Sequence, residues 1–394
     1  MTPAARLSAA IGLLDDILEG EPAERALTRW ARQNRYAGSK DRAAVRDVVF
    51  DCLRQKRSFA HLSGKMTGRG LVMAHQFAAG EDIAALFSGD RFAPVPLSDE
   101  ELARLGAPES EASLPEALDF PDFLLPELMR SLGDDLPEVM AAMGQRAPVD
   151  LRVNSLKATV DDAERMLARD LIFTERHPLN EMALRITQNP RKLARSLAYD
   201  YGLVELQDVS SQVVAAFCGA ERGMTVLDYC AGGGGKTLAL AAHMGGKGVL
   251  MAHDANARRM SDLPERARRA GATVQVLSSE ALRQNDPSCD LVVVDAPCTG
   301  TGAWRRNPDA KWRLDQAFIE KVTALQAEIL DKAARFVRKG GTMAYATCSI
   351  LRAENSDQVQ AFLARNPGWE LSEEVTLTPV QGGDGFYSAR LSRK

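Results

Sequence analysis

The spacing of apolar residues changes twice along the chain and predicts three structural units. Up to about residue 90, apolar side chains recur every three or four positions, which is the period of an amphipathic helix. From about 120 to 215, short alternating segments stand beside helical ones, and beyond 215 short apolar runs alternate with longer helical stretches. We therefore expect an all-α unit, a small α+β unit and a C-terminal α/β unit built on a doubly wound, mostly parallel sheet.

The N-terminal unit is predicted to contain amphipathic helices, with Ser39 and Asp41 as capping residues before the second. The apolar faces consist of Leu7, Ile11, Leu14, Ile17 and Leu18, then Val45, Val48, Val49 and Leu53. Basic side chains on or just after the second helix are Arg42, Arg46, Arg54, Lys56 and Arg57. On periodicity alone they fit the solvated face of a helical bundle, and the alternative is a surface that contacts RNA.

Short apolar segments predict the strands of the other two units. In the middle unit the strands are expected at 149–153, 184–186 and 203–206, with a helix at 161–167. In the C-terminal unit they are expected at 225–228, 248–253, 273–277, 291–295 and 342–346, with helices at 256–270 and 314–337. Sheets of this kind bind ligands beyond the carboxyl ends of their strands, so residues just after each strand are the first candidates for a functional site.

Negative charge is concentrated in one segment. The chain has 394 residues and a formal net charge of −4, but residues 92–119 alone carry a net charge of −6 and four prolines. We interpret 92–119 as an acidic linker after a first domain of residues 1–91. Since the rest of the chain is near neutral, the net charge does not argue against a nucleic-acid partner. Local basic groups remain at 42–57, 191–195, 258–269 and 305–313.

Composition excludes several classes of protein. A content of 45% hydrophobic and 26% charged residues argues against general disorder, a collagen-like repeat and a coiled coil. No apolar run approaches the ~20 residues of a membrane helix, and the first residues lack the apolar core of a signal peptide, so we expect a cytoplasmic protein. The six cysteines do not suggest a disulfide framework, and no His and Cys grouping has the spacing of a zinc site, so no metal is expected.

A glycine-rich loop follows the first strand of the C-terminal unit. Residues 228–237 read DYCAGGGGKT, and four consecutive glycines let a ligand approach the backbone at the start of a helix. A P-loop would need Gly at Cys230 and the dinucleotide fingerprint would need Gly at Thr237, so neither motif is present. Asp254 ends the next strand, where an acidic residue commonly binds ribose hydroxyls, and a helix cap is the alternative interpretation.

Two cysteines stand just after strands of this sheet. Cys298 follows the strand that ends at Asp295, and Cys348 follows the strand 342–346. A thiolate that adds to carbon 6 of a pyrimidine makes carbon 5 nucleophilic enough to accept a methyl group. A carboxylate such as Asp295 would stabilise the adduct, and a base would then remove the carbon-5 proton. The cysteines predicted to be small buried hydrophobic residues are Cys52, Cys218 and Cys289.

The chain resembles the Nop/Sun family of S-adenosylmethionine-dependent RNA cytosine-5 methyltransferases. In the C-terminal unit the resemblance rests on DYCAGGGGKT (228–237), DAPCTGTG (295–302), RRNPDAKW (305–312), ATCS (346–349) and DGFYSARL (384–391). In the middle unit it rests on RVNSLK (152–157) and LQDVSSQ (206–212). The segment SKDRAAVRDVVFDCLRQKR (39–57) resembles the NusB-type RNA-binding domain that marks the RsmB branch of this family.

The resemblance implies a NusB-like helical domain in 1–91, a small α+β RNA-binding subdomain in 120–215 and a Rossmann-like class I methyltransferase domain in 216–394. It implies S-adenosyl-L-methionine as the cofactor and 5-methylcytosine in RNA as the product, with 16S ribosomal RNA favoured as substrate. Transfer RNA is the alternative substrate, and a NusB-like RNA-binding or assembly factor with a vestigial methyltransferase domain is the alternative function. A monomer without membrane or metal partners is expected.

The resemblance also assigns roles to individual residues. Cys348 would be the nucleophile on carbon 6, and Cys298 would assist release of the methylated product. Asp295 would hold the cytosine edge, and Lys236 would lie near the cofactor and the target base. Residues expected at the cofactor are Cys230, Ala231, Gly232, Gly233, Gly234, Gly235, Lys236, Asp254, Ser279 and Asp295.

Three positions depart from the family pattern. Gly233 stands where the family usually has Pro, which is expected to loosen the loop and weaken cofactor binding. Thr299 replaces a commoner Ser, which is a mild change. Ser279 falls where an acidic residue often holds the adenine amino group, so the adenine contacts are the least defined part of the predicted site.

Overall fold

The structure, a computed structural model, describes residues 1–107 and 110–394. Pro108 and Glu109, which belong to the predicted acidic linker, lie outside the described residues. The chain forms two compact units. The first contains Met1–Met129, Gly133–Arg146 and Trp304–Leu314, and the second contains Arg130–Leu132, Ala147–Ala303 and Asp315–Lys394.

These units divide the chain at other places than the predicted boundaries. The described part of the predicted linker joins the first unit, because Leu97 and Leu105 pack on its helical core and Leu105 is buried there. Residues 304–314, which fall inside the predicted catalytic domain 216–394, also join the first unit. Acidic and proline-rich composition identifies an exposed segment, but it does not reveal the two apolar side chains that anchor this one.

Helices are numbered in chain order. They are α1 (Pro3–Leu18), α2 (Ala23–Gln33), α3 (Ser39–Arg54), α4 (Lys56–Ser63), α5 (Gly68–Ala78), α6 (Ile83–Leu86), α7 (Asp99–Gly106), α8 (Leu114–Ala117), α9 (Leu125–Leu132), α10 (Leu136–Met143), α11 (Val160–Arg169), α12 (Leu197–Asp200), α13 (Val209–Phe217), α14 (Gly235–His243), α15 (Leu263–Ala270), α16 (Ser279–Asn285), α17 (Pro308–Arg313), α18 (Gln316–Ala334) and α19 (Ser356–Arg365). Short 3₁₀ helices are Asp122–Leu124, Gly133–Asp135, Pro190–Arg195, Ala257–Met260, Thr301–Ala303, Arg352–Glu354 and Pro379–Gln381. Among the described residues, no helix combines the length and the apolar composition that crossing a membrane requires.

The first unit is helical, as its apolar spacing predicts. Leu14 of α1, Val49 of α3 and Leu71 of α5 are fully buried in one core. The N-cap of α3 is Gly38 rather than Ser39, and the Asp41 side chain accepts a hydrogen bond from the Gly38 N–H at 3.3 Å. The prediction is therefore one residue out for Ser39, which is the first helical residue, whereas Asp41 caps the helix as predicted, because a carboxylate at the third helical position can reach back to the N-cap amide.

Several basic residues of the predicted RNA surface are internal to the first unit. Arg54 is 7% exposed and donates to the Arg305 carbonyl at 2.9 Å. Arg57 donates to the Phe120 carbonyl. Lys311 is 1% exposed and donates to the Arg54 carbonyl at 2.8 Å, and burial lowers the pKa of Lys311 to about 7. The basic groups 42–57 and 305–313 therefore do not form one RNA-facing surface, because Arg54, Arg57 and Lys311 donate hydrogen bonds to backbone carbonyls of the same unit.

The second unit contains two sheets. Its strands are β1 (Asp150–Val153), β2 (Phe173–Arg176), β3 (Ala183–Gln188), β4 (Val204–Leu206), β5 (Thr225–Asp228), β6 (Val249–His253), β7 (Gln275–Leu277), β8 (Cys289–Asp295), β9 (Val337–Thr347), β10 (Trp369–Leu377) and β11 (Phe386–Arg393). The smaller sheet is antiparallel with the order β2-β3-β1-β4. Strand β2 was not predicted, because most of its side chains are exposed and it lacks an apolar face.

The larger sheet has the order β10-β11-β9-β8-β5-β6-β7. Strands β5 to β9 pair in parallel, as predicted, whereas β11 and β10 add an antiparallel edge. The predicted helix 256–270 is divided into the 3₁₀ helix Ala257–Met260 and α15, because Pro264 lies in the first turn of α15, where a missing N–H is tolerated. Cys218 and Cys289 are buried in the second unit and Cys52 in the first, as predicted.

Candidate active site

The two cysteines after β8 and β9 lie in contact. Asp295 at the end of β8 pairs with Ala346 of β9, so the loops that follow these strands start side by side. The Sγ atoms of Cys298 and Cys348 are 3.3 Å apart, and both side chains are half-buried. The sequence placed these cysteines at neighbouring strand ends, and the structure brings their thiols together.

The two thiols are not equivalent. The hydrogen bond to Cys348, burial and the nearby charge of Glu354 all raise the pKa of Cys298 well above its usual range. The raised pKa favours the protonated form of Cys298, which can donate its S–H across the 3.3 Å contact to Cys348. A Cys348 thiolate in turn helps to raise the pKa of Lys236, which places the cation beside Cys348. Cys348 is thus the sulfur that lies beside both the thiol of Cys298 and the ammonium group of Lys236.

Lys236 and Asp295 form an ion pair beside the thiols. Lys236 is 7% exposed, and its Nζ donates to Asp295 Oδ2 at 2.8 Å. The same Nζ lies 4.8 Å from the centre of the Phe386 ring. Burial alone would lower the pKa of Lys236, but the charge and the hydrogen bond of Asp295 outweigh it and raise that pKa. The ammonium group therefore stays charged and holds one oxygen of the carboxylate in place.

A buried carboxylate joins the loops that carry the cysteines. Glu354 is fully buried and accepts hydrogen bonds from the Thr299 N–H at 2.8 Å and the Thr299 hydroxyl at 2.5 Å. It also accepts from the Ser349 hydroxyl at 2.5 Å and from Gln326 Nε2 at 3.0 Å. Thr299 follows Cys298 and Ser349 follows Cys348, so one side chain fixes both loops. Sequence reasoning missed Glu354, since a lone glutamate beyond the strand gives no local signal.

Replacing Glu354 with Gln is expected to weaken this link. One amide oxygen cannot satisfy four donors, so we expect a loss of about 1–3 kcal/mol in the free energy of unfolding. Because the charge of Glu354 raises the pKa of Cys298, alkylation of Cys298 by iodoacetamide is expected to begin at lower pH in the variant. The exposed Glu328→Gln is the control. An unchanged alkylation profile in Glu354→Gln would contradict this account of Cys298.

The glycine loop is shaped by two residues with left-handed backbone. Gly232 has a φ of 53° and Gly234 a φ of 81°. A Cβ on Gly234 would lie 2.3 Å from Leu263 Cδ1, so the close packing of α15 also requires glycine there. The Gly232 N–H donates to Asp254 Oδ2 at 3.0 Å. Asp254, 5% exposed, therefore fixes the loop from the end of β6, in addition to any role toward a ligand.

Gly233 does not need to be glycine for its conformation. Its φ is not in the left-handed region, and a Cβ there would meet only Arg266 Nη1 at 3.5 Å. Arg266 donates to the Gly233 carbonyl and, at 2.9 Å, to the buried Glu205. Gly233 in place of the family's usual Pro was expected to loosen this loop. Arg266 of α15 instead holds the loop through the Gly233 carbonyl.

Asp228 carries an unpartnered buried oxygen next to this loop. Its Oδ2 accepts from the Thr237 hydroxyl at 2.6 Å, whereas Oδ1 is buried and has no hydrogen-bond partner among the described residues. Burial raises the pKa of Asp228 to about 7. A buried acceptor without a donor is the kind of group that a bound ligand satisfies.

The charge on Asp228 is expected to make stability fall as pH rises. The pKa of Asp228 is about 7 in the folded protein and about 4 in the unfolded chain. The free energy of unfolding therefore falls as the pH rises from about 4 to about 7, because the folded state holds the proton more tightly over that range. Asp228→Asn keeps an acceptor for Thr237 without the charge. The variant is expected to be more stable than the parent at pH 8, by on the order of a few kcal/mol, with the gap closing toward pH 5. Thermal unfolding across this range tests it, and a gap that is constant with pH would contradict it.

Two aromatic side chains that sequence reasoning missed complete this edge of the sheet. His253 is buried, its Nδ1 lies 2.8 Å from the Tyr229 carbonyl and its Nε2 lies 3.0 Å from the Ser279 hydroxyl. Because a carbonyl only accepts, Nδ1 donates and, in the neutral ring, Nε2 accepts from Ser279. The Tyr229 and His253 rings lie 5.0 Å apart. Tyr229 follows β5 and His253 ends β6, and these positions at strand ends are the feature of the sequence that could have identified them.

The strand order of the larger sheet is that of the Rossmann-like methyltransferases. The crystal structure of PH0851 is similar over 100% of this chain and 99% of its own, with a TM-score of 0.76 and 23% identity. A methyltransferase homolog protein from Pyrococcus horikoshii is similar over 71% of this chain and 97% of its own, with a TM-score of 0.63 and 24% identity. At these identities the likeness concerns the fold.

Sequence comparison identifies the family. Residues 217–391 match the model of the 16S rRNA methyltransferase RsmB/F, and residues 120–191 match that of the RsmF/B-like ferredoxin-like domain. Ribosomal RNA small subunit methyltransferase B of Cronobacter sakazakii is 34% identical over 62% of this chain and 59% of that protein. The protein of the same name from Salmonella arizonae is 35% identical over the same shares. This chain spans about three fifths of the length of these curated relatives, and its residues 217–391 form a methyltransferase domain of the RsmB/F family.

Proposed function

We propose that this protein is an RNA methyltransferase that forms 5-methylcytosine in small-subunit ribosomal RNA. The observation that carries the proposal is the contact between Cys298 and Cys348, 3.3 Å apart beside the ion pair of Lys236 and Asp295. Two thiols without a metal suit addition to a pyrimidine ring and release from it. The names of the curated relatives support ribosomal RNA over transfer RNA as the substrate.

The residues of the glycine loop fit S-adenosyl-L-methionine as the cofactor. Gly232 and Gly234 leave a backbone cradle without side chains, and the unpartnered Oδ1 of Asp228 offers an acceptor close to it. Residues 230–235 and Asp254 would hold the ligand, with Ser279 and its partner His253 at the neighbouring strand end. When bound, this cofactor supplies a methyl group on a positively charged sulfur, which a nucleophilic carbon can accept.

Cys348 acts as the nucleophile in this proposal. The S–H of Cys298 and the ammonium of Lys236 stabilise its thiolate, which forms a bond to carbon 6 of cytosine. The electron pair of the double bond between carbons 5 and 6 moves onto carbon 5 and is shared by conjugation with the rest of the ring. Lys236 holds Oδ2 of Asp295, so the carboxylate is oriented to accept a hydrogen bond from the cytosine edge as this charge develops.

Cys298 assists the final step. After carbon 5 carries the methyl group, its proton leaves to water, the carbon–sulfur bond breaks and its electrons return to Cys348. The Cys298 S–H lies 3.3 Å from the departing sulfur and stabilises the thiolate as it forms. The high pKa of Cys298 keeps this donor protonated at neutral pH. The target base must be unpaired or flipped out to reach the two thiols.

The proposed substrate can be tested with purified RNA. Deproteinised small-subunit ribosomal RNA and bulk transfer RNA are incubated separately with the protein and S-adenosylmethionine carrying a labelled methyl group, and the nucleosides are then separated. We expect labelled 5-methylcytosine in the ribosomal RNA. Label confined to transfer RNA would contradict the proposed substrate. Absence of both label and cofactor binding would favour the vestigial alternative.

A further inference from the structure

The thiol pair of the candidate active site is placed for the formation of a disulfide. The Sγ atoms of Cys298 and Cys348 are 3.3 Å apart, and a disulfide bond holds two sulfur atoms at about 2.05 Å. The sulfurs therefore need to approach each other by only about 1.3 Å. Strands β8 and β9 pair in parallel up to Asp295 and Ala346, so this approach requires no change in the sheet.

The loops that carry these cysteines are fixed relative to each other. Glu354 accepts hydrogen bonds from the Thr299 N–H and the Ser349 hydroxyl, and these two residues directly follow the cysteines. The hydroxyl groups of Thr301 and Ser349 also lie 2.9 Å apart. The fold has therefore already closed the loop between two cysteines that are 50 positions apart in the sequence.

The other four cysteines are protected from oxidation. Cys52, Cys218 and Cys289 are buried, and burial raises the pKa of each thiol above its usual range. Cys230 is half-buried, and burial together with the nearby charge of Asp228 raises its pKa as well. Since the thiolate is the form that attacks a peroxide, these thiols react slowly.

We propose that Cys298 and Cys348 are a modification site, which hydrogen peroxide and organic hydroperoxides oxidise to an intramolecular disulfide. The proposal rests on the proposed function for Cys348 as the attacking sulfur and for the consequence that oxidation stops methylation. Cys348 lies beside the ammonium group of Lys236, whereas the raised pKa of Cys298 disfavours its thiolate. Cys348 is therefore oxidised first, and Cys298 completes the disulfide.

The oxidation takes two steps. The Cys348 thiolate attacks one peroxide oxygen, the oxygen–oxygen bond breaks, and the second oxygen leaves as hydroxide, or as an alkoxide from an organic hydroperoxide, and takes up a proton. The Cys298 sulfur then attacks the sulfenic acid on Cys348, and the Cys298 proton leaves with the hydroxyl group as water. The two sulfurs lose two electrons, and the peroxide gains them.

The contact between the thiols favours the second step. The hydrogen bond to Cys348 and the charge of Cys348 are two of the causes that raise the pKa of Cys298. A sulfenic acid is neutral, so the charge is removed once Cys348 is oxidised, and Cys298 then gives up its proton more readily. Further oxidation to sulfinic acid is not reversed by thiols, whereas a disulfide is. The disulfide therefore inactivates the proposed nucleophile reversibly and protects it from permanent loss.

The test treats the full-length protein, without RNA or cofactor, with a small molar excess of hydrogen peroxide. Free thiols are alkylated in denaturant, and the protein is digested with trypsin without reduction and analysed by mass spectrometry. We expect the peptides of Cys298 and Cys348 to be linked and lighter by two hydrogen atoms than the separate peptides, with the other four cysteines alkylated. Methylation of ribosomal RNA should fall at least about tenfold, in proportion to the linked fraction, and should return after treatment with dithiothreitol.

The matched control is Cys289→Ala, because Cys289 lies in the same tryptic peptide as Cys298. This variant should form the disulfide at the rate of the parent, which assigns the link to Cys298. Cys298→Ser should form no disulfide, and its Cys348 should accumulate as sulfinic acid that dithiothreitol does not reduce.

Three results would overturn the proposal. They are free Cys298 and Cys348 in the treated parent, equal accumulation of sulfinic acid in the parent and in Cys298→Ser, and full methylation by the disulfide form. The proposed function is tested separately by the reduced protein. A disulfide that forms in a protein whose reduced form methylates no RNA would contradict the proposed function and support the oxidation site.

Discussion

Cys348→Ala is expected to reduce methyl transfer by at least about 10³-fold, because the variant has no sulfur to add to carbon 6 and carbon 5 then stays unreactive. Transfer of a labelled methyl group to ribosomal RNA measures the loss. Cofactor affinity should stay within a fewfold of the parent, since the removed thiol is assigned to the base rather than to the cofactor. A loss confined to cofactor binding would assign Cys348 a different role.

The control for this variant is Cys289→Ala. Cys289 is buried at the start of β8, away from the thiol pair, and no role in the reaction is proposed for it. Its replacement removes the same atom and should cost some stability but leave the methylation rate per folded molecule unchanged. Methylation in Cys348→Ala above one tenth of that in Cys289→Ala would contradict the nucleophile assignment.

Cys298→Ala is expected to trap the protein on its substrate. The variant keeps Cys348, so addition and methyl transfer proceed, but the leaving sulfur loses the S–H donor that lies 3.3 Å away. Release then becomes slower than formation, and a covalent protein–RNA complex accumulates. On a denaturing gel it should migrate as a band that carries both protein and labelled methyl group.

The double variant Cys298→Ala with Cys348→Ala isolates the origin of that band. It should give no covalent complex, because the sulfur that bonds to the base is absent. A band in Cys348→Ala and none in Cys298→Ala would exchange the two roles. If neither single variant changes methylation, the two-thiol mechanism is wrong.

The parallel core of the sheet could be predicted because its strands are short apolar runs between helical stretches. Strands β5 to β9 are of this kind. Strand β10 alternates acidic and apolar side chains over an exposed edge, and its pairing with β11 depends on residues far apart in sequence. Segment 304–314 joins the helical unit through Lys311 and Trp312, which donate to the Arg54 and Leu53 carbonyls. Contacts between residues more than 250 positions apart leave no local pattern.

The side chains proposed to react were visible in the sequence, but the groups that orient them were not. Cys298, Cys348 and Asp295 each follow a predicted strand, and that position suggested them. Glu354 and His253 act through hydrogen bonds to other side chains, so they emerge only when the loops are assembled in space. The proposed order of the two thiols likewise draws on the hydrogen bond between them, on burial and on the neighbouring charge, which the sequence does not display.

The central claim is that Cys348 bonds to carbon 6 of cytosine. It is tested most directly with the unaltered protein and RNA that contains 5-fluorocytidine, because a ring with fluorine at carbon 5 has no proton to lose after methyl transfer. The complex is digested with protease and nuclease, and mass spectrometry locates the modified cysteine. We expect the methylated fluorinated nucleotide on the peptide that contains Cys348. Its attachment to Cys298, or the absence of any adduct while ordinary RNA is methylated, would contradict the account.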